Sequence, residues 1–223
     1  MTTNPEDHGR CESCGSVISK RQMLRHLAGC AYPDGGVTVP VLQLRVEAGA
    51  FWLDLDIKTS ARLTRLDEFL RAIWLECCGH LSAFTIDGTC YATLLDEDPG
   101  ISALNEKSMN VAVGKTLPSD SSTFLYEYDY GSTTELRLMV VDARKAPKRA
   151  NAVRLLARNQ TPAFECDVCG GAATEICSFC FSMRDACLVC QKHIDDHDCG
   201  EEAMLPVVNS PRMGVCGYTG EGE

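Results

Sequence analysis

At 223 residues the chain has room for one ordinary core of roughly 100–150 residues with small modules appended. Hydrophobic residues make up 45% and charged residues 23%, the balance of a soluble globular protein, and no apolar run approaches the roughly 20 residues that cross a bilayer. A net charge of −10 argues against nucleic-acid binding by the whole surface. The polar, mixed-charge stretch Met1–Arg10 is not a signal peptide, so a cytoplasmic protein without membrane contact is expected.

A reducing compartment decides how to read fourteen cysteines, since dense cysteine there points to metal rather than disulfides. Eleven of them lie in two segments, Cys11–Cys30 and Cys166–Cys216. The first module, residues 1–33, carries Cys11, Cys14, His26 and Cys30, a zinc-finger spacing with a final Cys in place of His. Gly15 suits the knuckle turn, and helical composition over Lys20 to Ala28 puts His26 and Cys30 one turn apart. So short a fragment folds only if metal supplies the free energy.

Tyr32 to Gly36 reads as a turn-rich linker. An α+β domain is expected over residues 37–144, a largely antiparallel sheet with one covering helix. Its first strands are Val39–Val46 and Phe51–Ile57, joined through Ala48-Gly49-Ala50. Phe51, Leu53, Leu55 and Ile57 share one face, which leaves Asp54 and Asp56 as ordinary solvated carboxylates. A helix follows, capped by Thr64, with Asp67 and Glu68 in its first turn and Leu66, Phe69, Leu70, Ile73 and Trp74 as its core stripe; Gly79 ends it. Asp87-Gly88 marks a hairpin between Phe84–Ile86 and Cys90–Ala92. Asp96 to Ser122 reads as mostly loop, with a short strand at Val111–Val113. Thr123–Tyr128 and Glu135–Val141 close the sheet. Cys77, Cys78 and Cys90 read as small buried hydrophobes.

Residues 145–164 read as a basic linker with a short helix at Ala152–Arg158, before a C-terminal module over residues 165–223. There Cys166, Cys169, Cys177, Cys180, Cys187 and Cys190 form three evenly separated pairs, followed by His193, His197, Cys199 and Cys216. This resembles the cross-brace of B-box and MYND modules. The resemblance implies one zinc on Cys166, Cys169, Cys187 and Cys190. A second would sit on Cys177 and Cys180 with two later ligands, His197 and Cys199 first and His193 as the alternative. The tail Leu205–Tyr218 is apolar enough to dock on this module, with Cys216 as a further ligand. With four ligands each, such sites are structural, and the total is about three zinc ions per chain.

The centre also resembles the Ri-plasmid open-reading-frame-three-like family, also labelled a TnpR-like group of insertion-element passengers. The matching residues are Leu66 to Trp74, His80-Leu81 with Phe84, and Phe124-Leu125-Tyr126-Glu127-Tyr128-Asp129-Tyr130-Gly131. The family reads FLYEYDFGD; here Tyr130 replaces Phe and Ser132 replaces Asp, and Cys78-Gly79 stands where a Gly-Trp is usual. Longer relatives resemble this chain at Ser19–Leu27, at Ala152–Arg158 and at His197-Asp198-Cys199-Gly200-Glu201-Glu202, which implies His197 and Cys199 as ligands. The resemblance implies no reaction. No phosphate-binding loop, nucleophile elbow or metalloprotease helix is present either, and His80 reads as structural, so no enzyme is expected. A protein-interaction role fits the acidic surface and closed metal sites. The alternative is a nucleic-acid-binding accessory of mobile elements, contacting phosphate through Lys20, Arg21 and Arg25 on the finger and Lys148 and Arg149 in the basic run.

Overall fold

The computed structural model describes residues 7–30, 36–93, 106–117, 122–183 and 187–220. Of the expected linker only Gly36 is described. Residues 94–105 and 118–121, which take in much of the expected Asp96–Ser122 loop, also lie outside the described residues.

The fold is α+β. In chain order, β1 (His8–Cys11), β2 (Val17–Ser19) and α1 (Lys20–Cys30) form the N-terminal finger. Then come β3 (Thr38–Ala48), β4 (Phe51–Lys58), α2 (Leu63–Leu70) with a π-helical turn at Arg71–Leu75, β5 (Ser82–Ile86), β6 (Thr89–Ala92) and β7 (Glu106–Ser108). A helical turn α3 (Val113–Thr116), β8 (Thr123–Tyr128), β9 (Thr134–Pro147) and β10 (Val153–Asn159) complete the main body. The C-terminal module adds β11 (Glu175–Cys177), α4 (Ser178–Met183), β12 (Leu188–Val189) and β13 (Met204–Pro206). One ten-stranded sheet runs in the order β2-β1-β10-β4-β3-β9-β8-β5-β6-β7, and β12-β11-β13 form a second. Every described pairing is antiparallel except β6 with β7.

The two expected hairpins form where glycine allows positive φ. Gly49 (φ 57°) links β3 to β4, and Asp87 and Gly88 (φ 47° and 72°) link β5 to β6, both values positive as a type I′ turn requires. Phe51, Leu53, Leu55 and Ile57 join Leu66, Leu70 and Trp74 in the main core, so α2 covers one face of the sheet. The helix starts earlier than expected: Arg62 is the N-cap and no side chain caps it, because the chain enters with the Leu63 amide bonded to the Val111 carbonyl at 3.0 Å. Asp67 is buried rather than solvated. It accepts Ser82 Oγ at 2.6 Å, the Tyr126 hydroxyl at 2.7 Å and Arg71 Nε at 3.0 Å.

Three local expectations are corrected. Val111–Val113 is not a strand: Ala112 makes one isolated bridge to Arg62 and Val113 opens α3. The close seat of Gly114 against Thr59, where a Cβ would come within 2.8 Å, suits a tight turn instead. Ala152–Arg158 is not a linker helix but lies in and beside β10, between β1 and β4. Its β-branched start and the pairing of Arg154 with Asp56 favour extended backbone. Asp54 and Asp56 are buried, because β4 is covered on both faces. Arg45 grips Asp54 through two hydrogen bonds of 2.9 and 2.8 Å, and Arg144 approaches Asp56 at 3.5 Å.

What covers that second face is the finger. Met23 and Leu27 of α1, Cys11 of β1, Trp52 of β4 and Leu156 and Ala157 of β10 form a second buried cluster. A register shift between Leu155 and Ala157 inserts an extra residue, as a bulge does. Leu155 packs with the main core while Leu156 packs with the finger.

Candidate metal centres

The finger site grows from one knuckle and one helix. The Gly15 amide bonds the Cys11 carbonyl at 2.8 Å and the Cys11 amide bonds the Ser16 carbonyl at 3.0 Å. This tight turn, with Gly15 at φ 73°, carries Cys11 and Cys14 side by side. His26 and Cys30 project from α1 four residues apart, on one face of the helix. The four ligand atoms converge: Cys14 Sγ lies 3.4 Å from His26 Nε2 and Cys11 Sγ 4.0 Å from Cys30 Sγ.

The C-terminal module brings together two interleaved groups, Cys166, Cys169, Cys190 and His193, and Cys177, Cys180, His197 and Cys199. In the first, Cys166 Sγ and Cys190 Sγ lie 3.6 and 3.3 Å from His193 Nδ1, and Cys169 and Cys190 sulfurs are 3.8 Å apart. In the second, Cys180 Sγ lies 3.4 Å from His197 Nε2 and 3.5 Å from Cys199 Sγ. Segments one and three hold one group and two and four the other, which is the cross-brace. The membership differs from the expected one at a single place: Cys187 joins no group among the described residues, and His193 stands in its stead. The Cys187 backbone joins strands: its carbonyl accepts the Cys177 amide at 2.8 Å and its own amide donates to Asp167 Oδ2 at 2.8 Å. The His193 amide meanwhile bonds the Cys190 carbonyl at 2.9 Å, which tucks the imidazole beside Cys190.

A fourth group, Cys77, Cys78, His80 and Cys216, lies outside the expected sites. Of the three cysteines expected to be buried hydrophobes, Cys78 is exposed and Cys77 half-buried, and both join this group with Cys216, while Cys90 is half-buried and joins no such group among the described residues. The signal that could have found this group was local, a Cys-Cys-x-His run, but its partner lies 136 residues beyond His80.

The donor sets fit a divalent cation. Around tetrahedral zinc, sulfur ligands stand about 3.8 Å apart and a sulfur–nitrogen pair about 3.6 Å apart, from Zn–S and Zn–N lengths of about 2.3 and 2.0 Å. The observed separations cluster near both values. Ionisation behaves as crowding demands. The Ser16 hydroxyl and amide hold Cys14 down to about 6, while its neighbour Cys30 is pushed up to about 11 by Cys14. Burial opposes ionisation of Cys166 and Cys177, yet amide hydrogen bonds bring them down to about 6 and about 7. Cys199 pushes Cys180 up to about 12, and Cys216 does the same to Cys78. A first thiolate thus forms readily and obstructs the next; a cation would relieve that repulsion.

The plasmid pRiA4b ORF-3-like protein family matches residues 39–177, more than half of the chain. The chain belongs to that family. The matched span opens in β3 and ends on Cys177, so it takes in the sheet from β3 to β10; the finger and the second half of the cross-brace lie outside it. Among solved structures, a protein of unknown function from Methanosarcina mazei Go1 is similar, at 16% identity over 61% of this chain and 77% of that one, with a TM-score of 0.41. No curated protein matches the chain.

The nucleic-acid candidates fall in two states. Lys20 pairs with Glu47 at 3.1 Å, whereas Arg21, Arg25, Lys148 and Arg149 are exposed. Finger and basic run are neighbours, since Arg154 Nη2 donates to Ser13 Oγ at 2.8 Å. No helix among the described residues is long and apolar enough to cross a membrane.

Proposed function

We propose that this member of the pRiA4b ORF-3-like family is a non-enzymatic adaptor: a sheet domain flanked by zinc-stabilised modules that dock a protein partner in a reducing, cytoplasmic compartment. Each proposed zinc has four protein ligands, so no position is open for water or substrate and the metal's role is structural. The observation that carries the reading is the apolar surface of the C-terminal module. Phe179 and Met183 on α4 are 61% and 63% exposed, Phe181 is 41% exposed, and Val168 nearby in sequence to Cys166 is 65% exposed. Large apolar side chains kept at a surface by a small rigid module suit a contact with another protein.

The test is crosslinking mass spectrometry of the full chain in its native cell, with and without Phe179→Ser plus Met183→Ser. Recurrent crosslinks to one protein that vanish in the double variant support docking through α4; unchanged crosslinks would remove α4 as the interface. The alternative, phosphate contact through Arg21 and Arg25, draws on their exposure. It predicts salt-sensitive binding of labelled duplex or single-stranded nucleic acid that Arg25→Ala weakens, with the salt slope lowered by about one. No binding at low salt would dismiss it.

A further inference from the structure

We propose that Cys77, Cys78, His80 and Cys216 bind a fourth zinc ion, which rivets the C-terminal tail to the sheet domain. The inference rests on zinc being the metal of the other three groups. The sulfur–sulfur separations are those of a tetrahedron's edges, Cys77 to Cys78 3.8 Å and Cys78 to Cys216 3.7 Å, while His80 Nε2 sits closer, 3.0 Å from Cys78 and 3.3 Å from Cys216, so the imidazole would move back slightly to admit the ion. Both cysteine contacts of the imidazole are made by the same nitrogen, as one metal would require. Asp129 Oδ2 lies 3.5 Å from that nitrogen, but its short bond, 2.5 Å, goes to Arg212.

Three further features favour a built site. The backbone turns where ligands must converge: Gly79 has φ 77°, and Cys216 holds φ 52°, a left-handed conformation costly to a residue with a Cβ. A supporting layer surrounds the sulfurs, as in established metal sites. Arg212 Nη2 donates to Cys77 Sγ at 3.7 Å, and the His80 ring meets Tyr128 edge to face at 5.6 Å. Finally, the tail arrives already registered. Ser210 Oγ donates to the Trp74 carbonyl at 2.6 Å, Arg212 is wholly buried against Asp129, Ser132 and Thr134, and Asn209 exchanges hydrogen bonds with Asn159. On binding, three thiols would lose their protons to solvent and neutral His80 would supply the fourth bond. A disulfide between Cys78 and Cys216 would use two of the four groups and give Cys77 and His80 no part.

The test counts zinc in untagged full-length protein purified under reducing conditions. Four ions per chain are expected, falling by one in Cys78→Ser plus Cys216→Ser and unchanged in Cys90→Ser. Alkylation footprinting of the wild type removes any dependence on the variant folding. Cys77, Cys78 and Cys216 should be protected with zinc and become reactive together on chelation. Three ions in the wild type with no loss in the double variant, or a Cys78–Cys216 disulfide reversible by reductant, would overturn the fourth site alone. Absence of zinc altogether would overturn the zinc reading of every group with it.

Discussion

At Gly9 an added Cβ would lie 2.4 Å from the tip of the Trp52 indole and 2.5 Å from the Arg158 carbonyl. Neither neighbour can give way: the indole is buried under α1 and the carbonyl belongs to β10, paired with β1. Gly9→Ala should therefore cost about 1–3 kcal/mol, the scale of core overpacking, read as a lowered denaturation midpoint with an unchanged slope. Tyr126 permits a pH prediction. Burial and the adjacent Asp67 carboxylate push its phenol above the ordinary value of 10.0. The folded state thus favours the protonated form; that stabilisation is full below about pH 10 and is lost as pH rises through the raised value. In an alkaline absorbance titration Tyr126 should ionise only as the protein unfolds, leaving one fewer early-titrating tyrosine than a Tyr126→Phe variant would suggest if the residue were solvated. An unchanged early count after that substitution supports the burial; a count reduced by one refutes it.

At the scale of elements, the finger is a lid as well as a candidate metal site. Chelation should melt α1 and expose Trp52; in a Trp74→Phe background its emission should shift to the red and return on adding zinc. Emission indifferent to chelation would mean that apolar packing holds the finger unaided. Here the limits of sequence become physical. The hairpins at Gly49 and Asp87-Gly88, the alternation of Phe51 to Ile57 and the Cys-x-x-Cys knuckles were legible because each is decided within a few residues. The role of Asp54 was not, because strand alternation tells two faces apart but cannot say that a finger encoded thirty residues earlier will cover the second. β10 has the composition of a helix as much as of a strand, since basic residues and alanines suit both, and the partners that decide it, β1 and β4, are remote in sequence. In sequence Cys187 stands out over His193 because a regular Cys pair is a stronger pattern than a Cys-x-x-His, whereas the turn that bonds the His193 amide to the Cys190 carbonyl brings the imidazole to the site.

For the whole molecule, the tail joins the two halves. It leaves the module as β13, paired with β11, and continues onto the sheet domain through Asn209, Ser210 and Arg212. Arg212→Leu would leave Asp129 buried without its cation, a loss of about 3–5 kcal/mol by analogy with broken buried pairs. Thermal denaturation should show the drop. If instead the melting temperature holds, the tail lies on the sheet without supporting it.

The place of β10 also orders the chain's birth. β1 leaves the ribosome roughly 7–30 s before β10, at a synthesis rate of about 5–20 residues per second. Until then the strand on which the finger docks does not exist, so Trp52 and an open edge of β4 stay exposed to every other nascent chain nearby. If its Cys/His group takes up zinc, as proposed, the finger can wait out that interval as a finished piece. Zinc present during translation would then raise the native yield above that from zinc added afterwards, which refolding and in vitro translation with and without the metal can compare.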